Sequence, residues 1–133
     1  MSVIGVGLDL VNVPDFAVQL EQPGSTILHT FRVGERRDAA DRPDGEARHL
    51  AVRWAAREAV IKAWSSSRFA QPPVLPETAV NDVEVLTDTW GRPRVRLHGD
   101  LARYLSDVTI HLSLTHDGDT AGAVAVLESL DGQ

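Results

Sequence analysis

Cysteine is absent from the 133-residue chain, which excludes a disulfide-stapled scaffold, a thiolate zinc site and a cysteine nucleophile. Long hydrophobic runs are missing too. No apolar stretch approaches the roughly 18–20 residues that cross a bilayer, and the opening Met1-Ser2-Val3-Ile4-Gly5 has no basic leader, its apolar run breaking at Asp9. The expectation is a cytoplasmic protein. Nor is there an excess of positive charge: a net charge of -6 argues against nonspecific nucleic-acid binding as the main task. Gly5-Val6-Gly7 lacks the third glycine of a dinucleotide fingerprint and continues as a strand where a phosphate-binding helix would open. A Walker-type Gly-Lys-Ser/Thr, internal repeats and low-complexity segments are likewise missing.

What is there suits one domain over residues 1–133, since 43% hydrophobic residues build one core but not two. From Val3 to Val13 the chain alternates, with Ile4, Val6, Leu8 and Leu10 on one side and Gly5, Gly7 and Asp9 on the other. This predicts a strand with a bare second face, open to another backbone, a metal or a phosphate. A short helix is expected from Asp15 to Leu20, a loop over Asp41 to Gly45, and a long helix from about Glu46 to Trp64. The proline-rich stretch from Gln71 to Pro76 follows. Val83 to Leu86, a turn at Asp88-Thr89-Trp90-Gly91, and the alternating Val95 and Leu97 predict a hairpin. A helix from Gly99 to Leu105, a strand from Val108 to Thr115 and a last strand from Gly122 to Leu127 complete an α+β order.

Within the long helix, Glu58, Lys62 and Ser65 fall on one narrow polar strip, bordered by Trp54 and Ile61 on one side and Ala51 and Ala55 on the other. An exposed Glu-to-Lys pair at this spacing contributes only about 0.3–0.5 kcal/mol. Buried charges would demand compensation and mark a site. Asp9 on its glycine-faced strand and His116, beside Thr115 and Asp117 in a hairpin turn, are the other candidates. Two carboxylates with no cysteine and no histidine cluster favour a hard ion such as Mg²⁺, which keeps waters and completes its shell with substrate phosphates. Lys62 could then neutralise phosphate charge. Seven of the 13 Lys and Arg residues are Arg32, Arg36, Arg37, Arg42, Arg48, Arg53 and Arg57, a candidate basic face for an acidic protein or phosphates. Balance by Glu35, Asp38, Asp41, Asp44 and Glu46 would make it an ordinary solvated surface.

Three motifs together resemble the holo-acyl-carrier-protein synthase type of phosphopantetheinyl transferase, and most closely its actinobacterial, mycobacterium-like members. They are Ile4-Gly5-Val6-Gly7-Leu8-Asp9-Leu10-Val11, Trp54-Ala55-Ala56-Arg57-Glu58-Ala59-Val60-Ile61-Lys62-Ala63 and Ser113-Leu114-Thr115-His116-Asp117. Phe31 with Glu35, and Gly91-Arg92-Pro93, match weaker signatures. Arg57 stands where the family usually has lysine, and Val13 to Phe16 lacks an arginine that many relatives carry. The resemblance implies an antiparallel sheet packed on one long helix and shorter ones. It also implies transfer of phosphopantetheine from coenzyme A to a serine of apo-acyl carrier protein, releasing 3′,5′-ADP. By residue matching, Asp9 and Glu58 become Mg²⁺ ligands and Lys62 steadies the phosphates. Ser65, Gly91, Arg92, Pro93, Thr115 and His116 line the nucleotide pocket. The serine proton goes either to His116 or to a metal-bound water held by a carboxylate. Arg32, Arg36, Arg37, Arg48 and Arg53 become carrier-facing cations, Arg53 also being a candidate contact of the coenzyme. The family's trimers, with active sites between subunits, are implied as well. Competing readings are a noncatalytic nucleotide- or carrier-binding module and a Mg²⁺-dependent phosphohydrolase.

Overall fold

A computed structural model describes residues 1–43 and 45–130; Asp44 of the expected loop and residues 131–133 lie outside the described residues. Alternation in the first segment becomes strand β1 (Ser2–Asn12). Asn12 ends it by accepting a 2.9 Å hydrogen bond from the Asp15 amide, capping helix α1 (Val13–Glu21). Pro14 sits in the first turn, where its missing N–H costs nothing, so the helix begins two residues before the expected start. A 3-10 turn (Ile27–Thr30) leads to α2 (Val33–Ala40), then the long α3 (Glu46–Ser66) and a second 3-10 turn (Glu77–Asp82). The hairpin β2 (Val83–Thr87) and β3 (Pro93–Leu97), the short α4 (Gly99–Tyr104), β4 (Val108–Asp117) and β5 (Thr120–Ser129) follow.

Strands β1, β5 and β4 form one antiparallel sheet with β5 in the middle, and β2 and β3 form a separate two-stranded one. Helix α3 lies across the inner face of the larger sheet, packing Ala55, Ala56, Ala59 and Ala63 on Ala123, Ala125 and Leu127. Small residues on both layers allow this close approach, and β1 takes it furthest. A Cβ added at Gly5 would stand 2.0 Å from the carbonyl oxygen of Ala63, and one added at Gly7 2.0 Å from that of Ala59. Of the three visitors the bare face could admit, it admits a backbone. The apolar side of β1 is therefore the outer one, with Val6, Leu8 and Leu10 exposed at 55%, 60% and 65%. Leu8 and Val6 pair with half-buried Val124 and Val126 of β5, so the outer surface of β1 and β5 is an uncovered apolar strip, bordered on β4 by the exposed His111, Ser113 and Thr115.

This packing makes Gly7→Ala costly, because two backbones must part to admit one methyl group. The expected loss is about 1–3 kcal/mol in denaturant unfolding. Gly34→Ala in α2, where a Cβ meets nothing within 4 Å, is the matched control and should be neutral or stabilising. Equal stability of the two variants would dismiss the close-packing account.

Candidate active site

Asp9 follows the two glycines on the inner face of β1, where the strand runs past the middle of α3. Glu58 projects from α3 toward the same region, and both line an open pocket of about 330 Å³ together with Asn12, Asp15, Gln19 and Trp54. Lys62, one turn beyond Glu58, turns to the strand: its Nζ donates to Asp9 Oδ1 at 3.0 Å and to the Leu8 carbonyl at 3.1 Å. The partner of the lysine is thus Asp9, across the layer gap, and not Glu58 along the helix. Nor is the strip deeply buried, since Glu58 is half-buried and Lys62 and Ser65 are exposed.

Burial raises the Glu58 carboxyl above its ordinary range, the like charge of Asp9 adds to this, and the Lys62 ammonium opposes it. Two carboxylates in one pocket, one resisting ionisation, are a donor set that a divalent cation would relieve. Among the described residues no three or more His, Asp or Glu side chains gather as a metal cage. A pair of carboxylates suits an ion that keeps waters and takes substrate oxygens, and it does not suit one that requires a closed protein shell.

The other candidates lie apart from this pocket. Ser65 lines a neighbouring cavity of about 240 Å³ between α3 and the proline-rich segment, with Ile61, Trp64 and Arg68. Gly91, Arg92 and Pro93 stand at the tip of the β2–β3 hairpin, where Gly91 has φ +81° and Asp88 braces the turn. Asp88 Oδ1 accepts from the Trp90 and Arg92 amides at 2.9 Å each and Oδ2 from Arg92 Nε at 2.7 Å, holding its carboxyl below the usual range. Thr115 and His116 are exposed at the end of β4. His116 is in register with Ala121 of β5, which pairs in turn with Val11, so the His116 backbone stands two strand spacings, roughly 9–10 Å, from β1. One chain therefore joins Asp9, Glu58 and Lys62 and leaves the remaining groups on other edges.

The buried charges are elsewhere, and they correct the expected basic face. Arg53 and Arg57 are 1% and 0% exposed, and Glu35 is 1% exposed. Arg57 donates from Nε to the Val83 carbonyl (3.1 Å), from Nη1 to Thr30 Oγ1 (3.0 Å), and from Nη2 to the Thr30 carbonyl (2.8 Å) and Glu35 Oε1 (3.2 Å). Its guanidinium lies 4.1 Å from the Phe31 ring centre. Glu35 also accepts from the Arg32 amide and, through Oε2, from the Val85 amide, both at 3.0 Å. Burial lowers the pKa of Arg57 and of Arg53, while Glu35 opposes this in both. Arg53 Nη2 reaches Asp38 Oδ2 at 3.5 Å, which leaves the side chain turned inward and not open to a ligand. This knot ties α2, α3, the first 3-10 turn and β2 together. The Phe31-Glu35 signature was its only trace in the sequence.

The sequence model of the 4′-phosphopantetheinyl transferase superfamily matches residues 5–125. The holo-[acyl-carrier-protein] synthase of Mycobacterium tuberculosis (strain ATCC 25618 / H37Rv) is 67% identical over 97% of this chain and 99% of its own length. The synthase of Mycobacterium ulcerans (strain Agy99) is 66% identical over the same shares. Among solved structures, the M. tuberculosis acyl carrier protein synthase superposes with a TM-score of 0.80 at 61% identity, covering 96% of this chain and 98% of that one. A Chronobacterium ammoniagenes synthase in complex with coenzyme A gives 0.87 at 47% identity, covering 93% and 96%. The chain thus belongs to the 4′-phosphopantetheinyl transferase superfamily, as an enzyme of the holo-[acyl-carrier-protein] synthase type.

Proposed function

We propose that the chain, as one domain over residues 1–133, moves the 4′-phosphopantetheine group of coenzyme A onto a serine of apo-acyl carrier protein. The observation that carries this is that Asp9 and a half-buried Glu58 line one open pocket while Lys62 pairs with Asp9. The serine hydroxyl gives its proton to His116 or to a water held by a carboxylate, its Oγ forms a bond to the β-phosphorus, the pyrophosphate P–O bond breaks, and 3′,5′-ADP leaves with the bond's electron pair. Mg²⁺ held by Asp9 and Glu58 would neutralise the pyrophosphate oxygens as charge shifts between them. Lys62 is the cation already in place, its 55% exposed side chain free to meet a phosphate while its ammonium keeps Asp9 oriented. The coenzyme A complex of the 47%-identical relative supports the choice of co-substrate.

His116 does not line the Asp9–Glu58 pocket of its own chain, and neither does Thr115 or the Gly91-Arg92-Pro93 tip. We therefore read the site as completed by a neighbouring copy in a homotrimer, with the uncovered strip of Val6, Leu8 and Leu10 as the face that a copy would bury. We read the enzyme as a cytoplasmic one that serves carrier-dependent acyl-chain synthesis, a reading supported by its resemblance to holo-[acyl-carrier-protein] synthases. No helix among the described residues is long and apolar enough to cross a membrane.

Mass spectrometry of apo-carrier incubated with coenzyme A and Mg²⁺ tests the proposal. Gain of one phosphopantetheine per carrier supports it. Coenzyme A consumed without carrier would indicate a phosphohydrolase, and binding without mass gain a noncatalytic module. Arg36 and Arg37 on α2 remain as cations for an acidic carrier, whereas α1 offers only Asp15 and Glu21 as charged groups. Arg36→Glu with Arg37→Glu should raise KM for the carrier much more than KM for coenzyme A, and the parent's carrier KM should rise with salt. Equal rises in both constants would reduce these arginines to solvated surface.

A further inference from the structure

Arg48 counts among the expected carrier-facing cations, yet it is half-buried and its Nη2 donates to the Gly118 carbonyl at 3.3 Å. The two residues lie 70 apart in sequence, so the bond ties the first turn of α3 to the turn between β4 and β5. That turn is two residues long, Gly118 and Asp119, and Gly118 has φ +56°. Its second carbonyl is engaged as well: Asp119 accepts from the Val13 amide at 2.8 Å, where β1 passes into α1. Both carbonyls of the turn therefore meet donors from other elements.

The clamp matters because of what the turn carries. All residues from Thr115 to Thr120 are exposed, and a hairpin end with so little buried surface opens at a low free-energy cost. Ala121, which pairs with His116, is the anchor: it is 0% exposed and belongs to the core of Phe16, Leu50 and Ala51. Beyond it, the Val13 and Arg48 bonds tie the turn to the rest of the chain. Facing pairs of an antiparallel ladder share a face, so His116 stands on the inner side with Ala121, the side on which α3 lies. We infer that Arg48 is a positioning residue: by holding the Gly118 carbonyl it fixes the turn, and with it the direction in which His116 is presented. The inference rests on the proposed reading of His116 as a site group. Because His116 does not line the pocket of its own chain, the effect reaches the pocket of a neighbouring copy. A group misplaced by about 1 Å can lose on the order of 10²-fold in rate, and a supporting side chain that touches no substrate limits such play.

The test pairs hydrogen exchange with kinetics. Arg48→Met keeps the aliphatic stem and removes the donors, so amides of residues 115–120 should exchange faster while those of α3 stay unchanged. Its Tm should match the parent's, since the lost bond is solvent-exposed. The kcat/KM for coenzyme A should fall roughly tenfold with the carrier KM unchanged, and Arg48→Lys, which retains a donor, should recover most of the loss. In a His116→Ala background the Arg48→Met effect should shrink, because a side chain already removed cannot be misplaced. Unchanged exchange at 115–120, a rise confined to the carrier KM, or a loss fully additive with that of His116→Ala would overturn the positioning role. A parent-like His116→Ala defeats the site reading on which the inference rests. A deficient His116→Ala beside a parent-like Arg48→Met defeats the inference alone.

Discussion

Glu58→Gln should all but abolish phosphopantetheine transfer and yet, in metal-free buffer, melt no lower than the parent. The loss of activity follows from removing one of the two carboxylates assigned to the metal, with an expected fall on the order of 10³-fold. The stability result follows from the electrostatics of the empty site. Burial and Asp9 hold the Glu58 carboxyl above its usual range, so as pH rises the unfolded chain gives up that proton first. In the window between the ordinary glutamate value and the raised one, the folded state binds more protons, and parent stability declines as pH increases. Below that window Glu58 is protonated in both states and the penalty is absent. The amide side chain carries no such penalty at any pH. Adding Mg²⁺ should raise Tm of the parent and not of the variant. Asp9→Ala should lose transfer to a similar degree at a small cost in stability, because the Lys62 that it releases is half exposed to water and such pairs contribute little. Ordinary turnover by either variant, or a metal-free Glu58→Gln that melts far below the parent, would sink the two-carboxylate assignment.

The largest loss of stability is expected at a residue outside the pocket. Arg57→Met strands the Glu35 carboxylate in the core, and Glu35→Leu strands the Arg57 guanidinium, each at about 3–5 kcal/mol. The double replacement leaves no orphaned charge and should cost less than the sum of the two, a coupling that denaturant melts resolve in a double-mutant cycle. Strict additivity would mean that the two side chains act separately despite their 3.2 Å contact. Arg57→Lys should fall between parent and Arg57→Met. One ammonium cannot meet the Thr30 carbonyl, Thr30 Oγ1, the Val83 carbonyl and Glu35 together, nor lie flat on Phe31.

These two predictions divide what the sequence made legible from what it hid. Strands, hairpin and long helix were readable because period-two and helical apolar patterns are local. Asp9, Glu58 and Lys62 could be singled out because helical spacing sets Glu58 and Lys62 on one strip of the helix and the motif around Asp9 is distinctive, whereas the pairing of Lys62 with Asp9 across the layers was not legible. The facing of β1 was not. Alternation shows that two faces differ, but only the cost of a Cβ between two backbones decides which one meets the helix, and that depends on a segment some fifty residues away. Helix α2 escaped for a related reason: its inward positions are Glu35 and Ala39, so the residue that anchors it reads as a surface charge. The same substitution of polar for apolar hid Arg53 and Arg57, which charge alone assigned to a basic surface. Partners at 22 to 27 residues' distance, as for Arg57, are set by tertiary packing and leave no period to count.

The outward-facing row of Val6, Leu8 and Leu10 carries one last consequence, in kinetic order. If copies of the chain must cover that row to assemble working sites, the enzyme at nanomolar dilution is partly a reservoir of incomplete sites, and its output depends on mass action. Initial rate should then climb more steeply than linearly with enzyme concentration at high dilution and become linear once assembly is saturated, with Tm rising over the same range. Leu8→Lys should move that curve to higher concentration. Strict proportionality between rate and enzyme down to the detection limit would mean that each chain works alone.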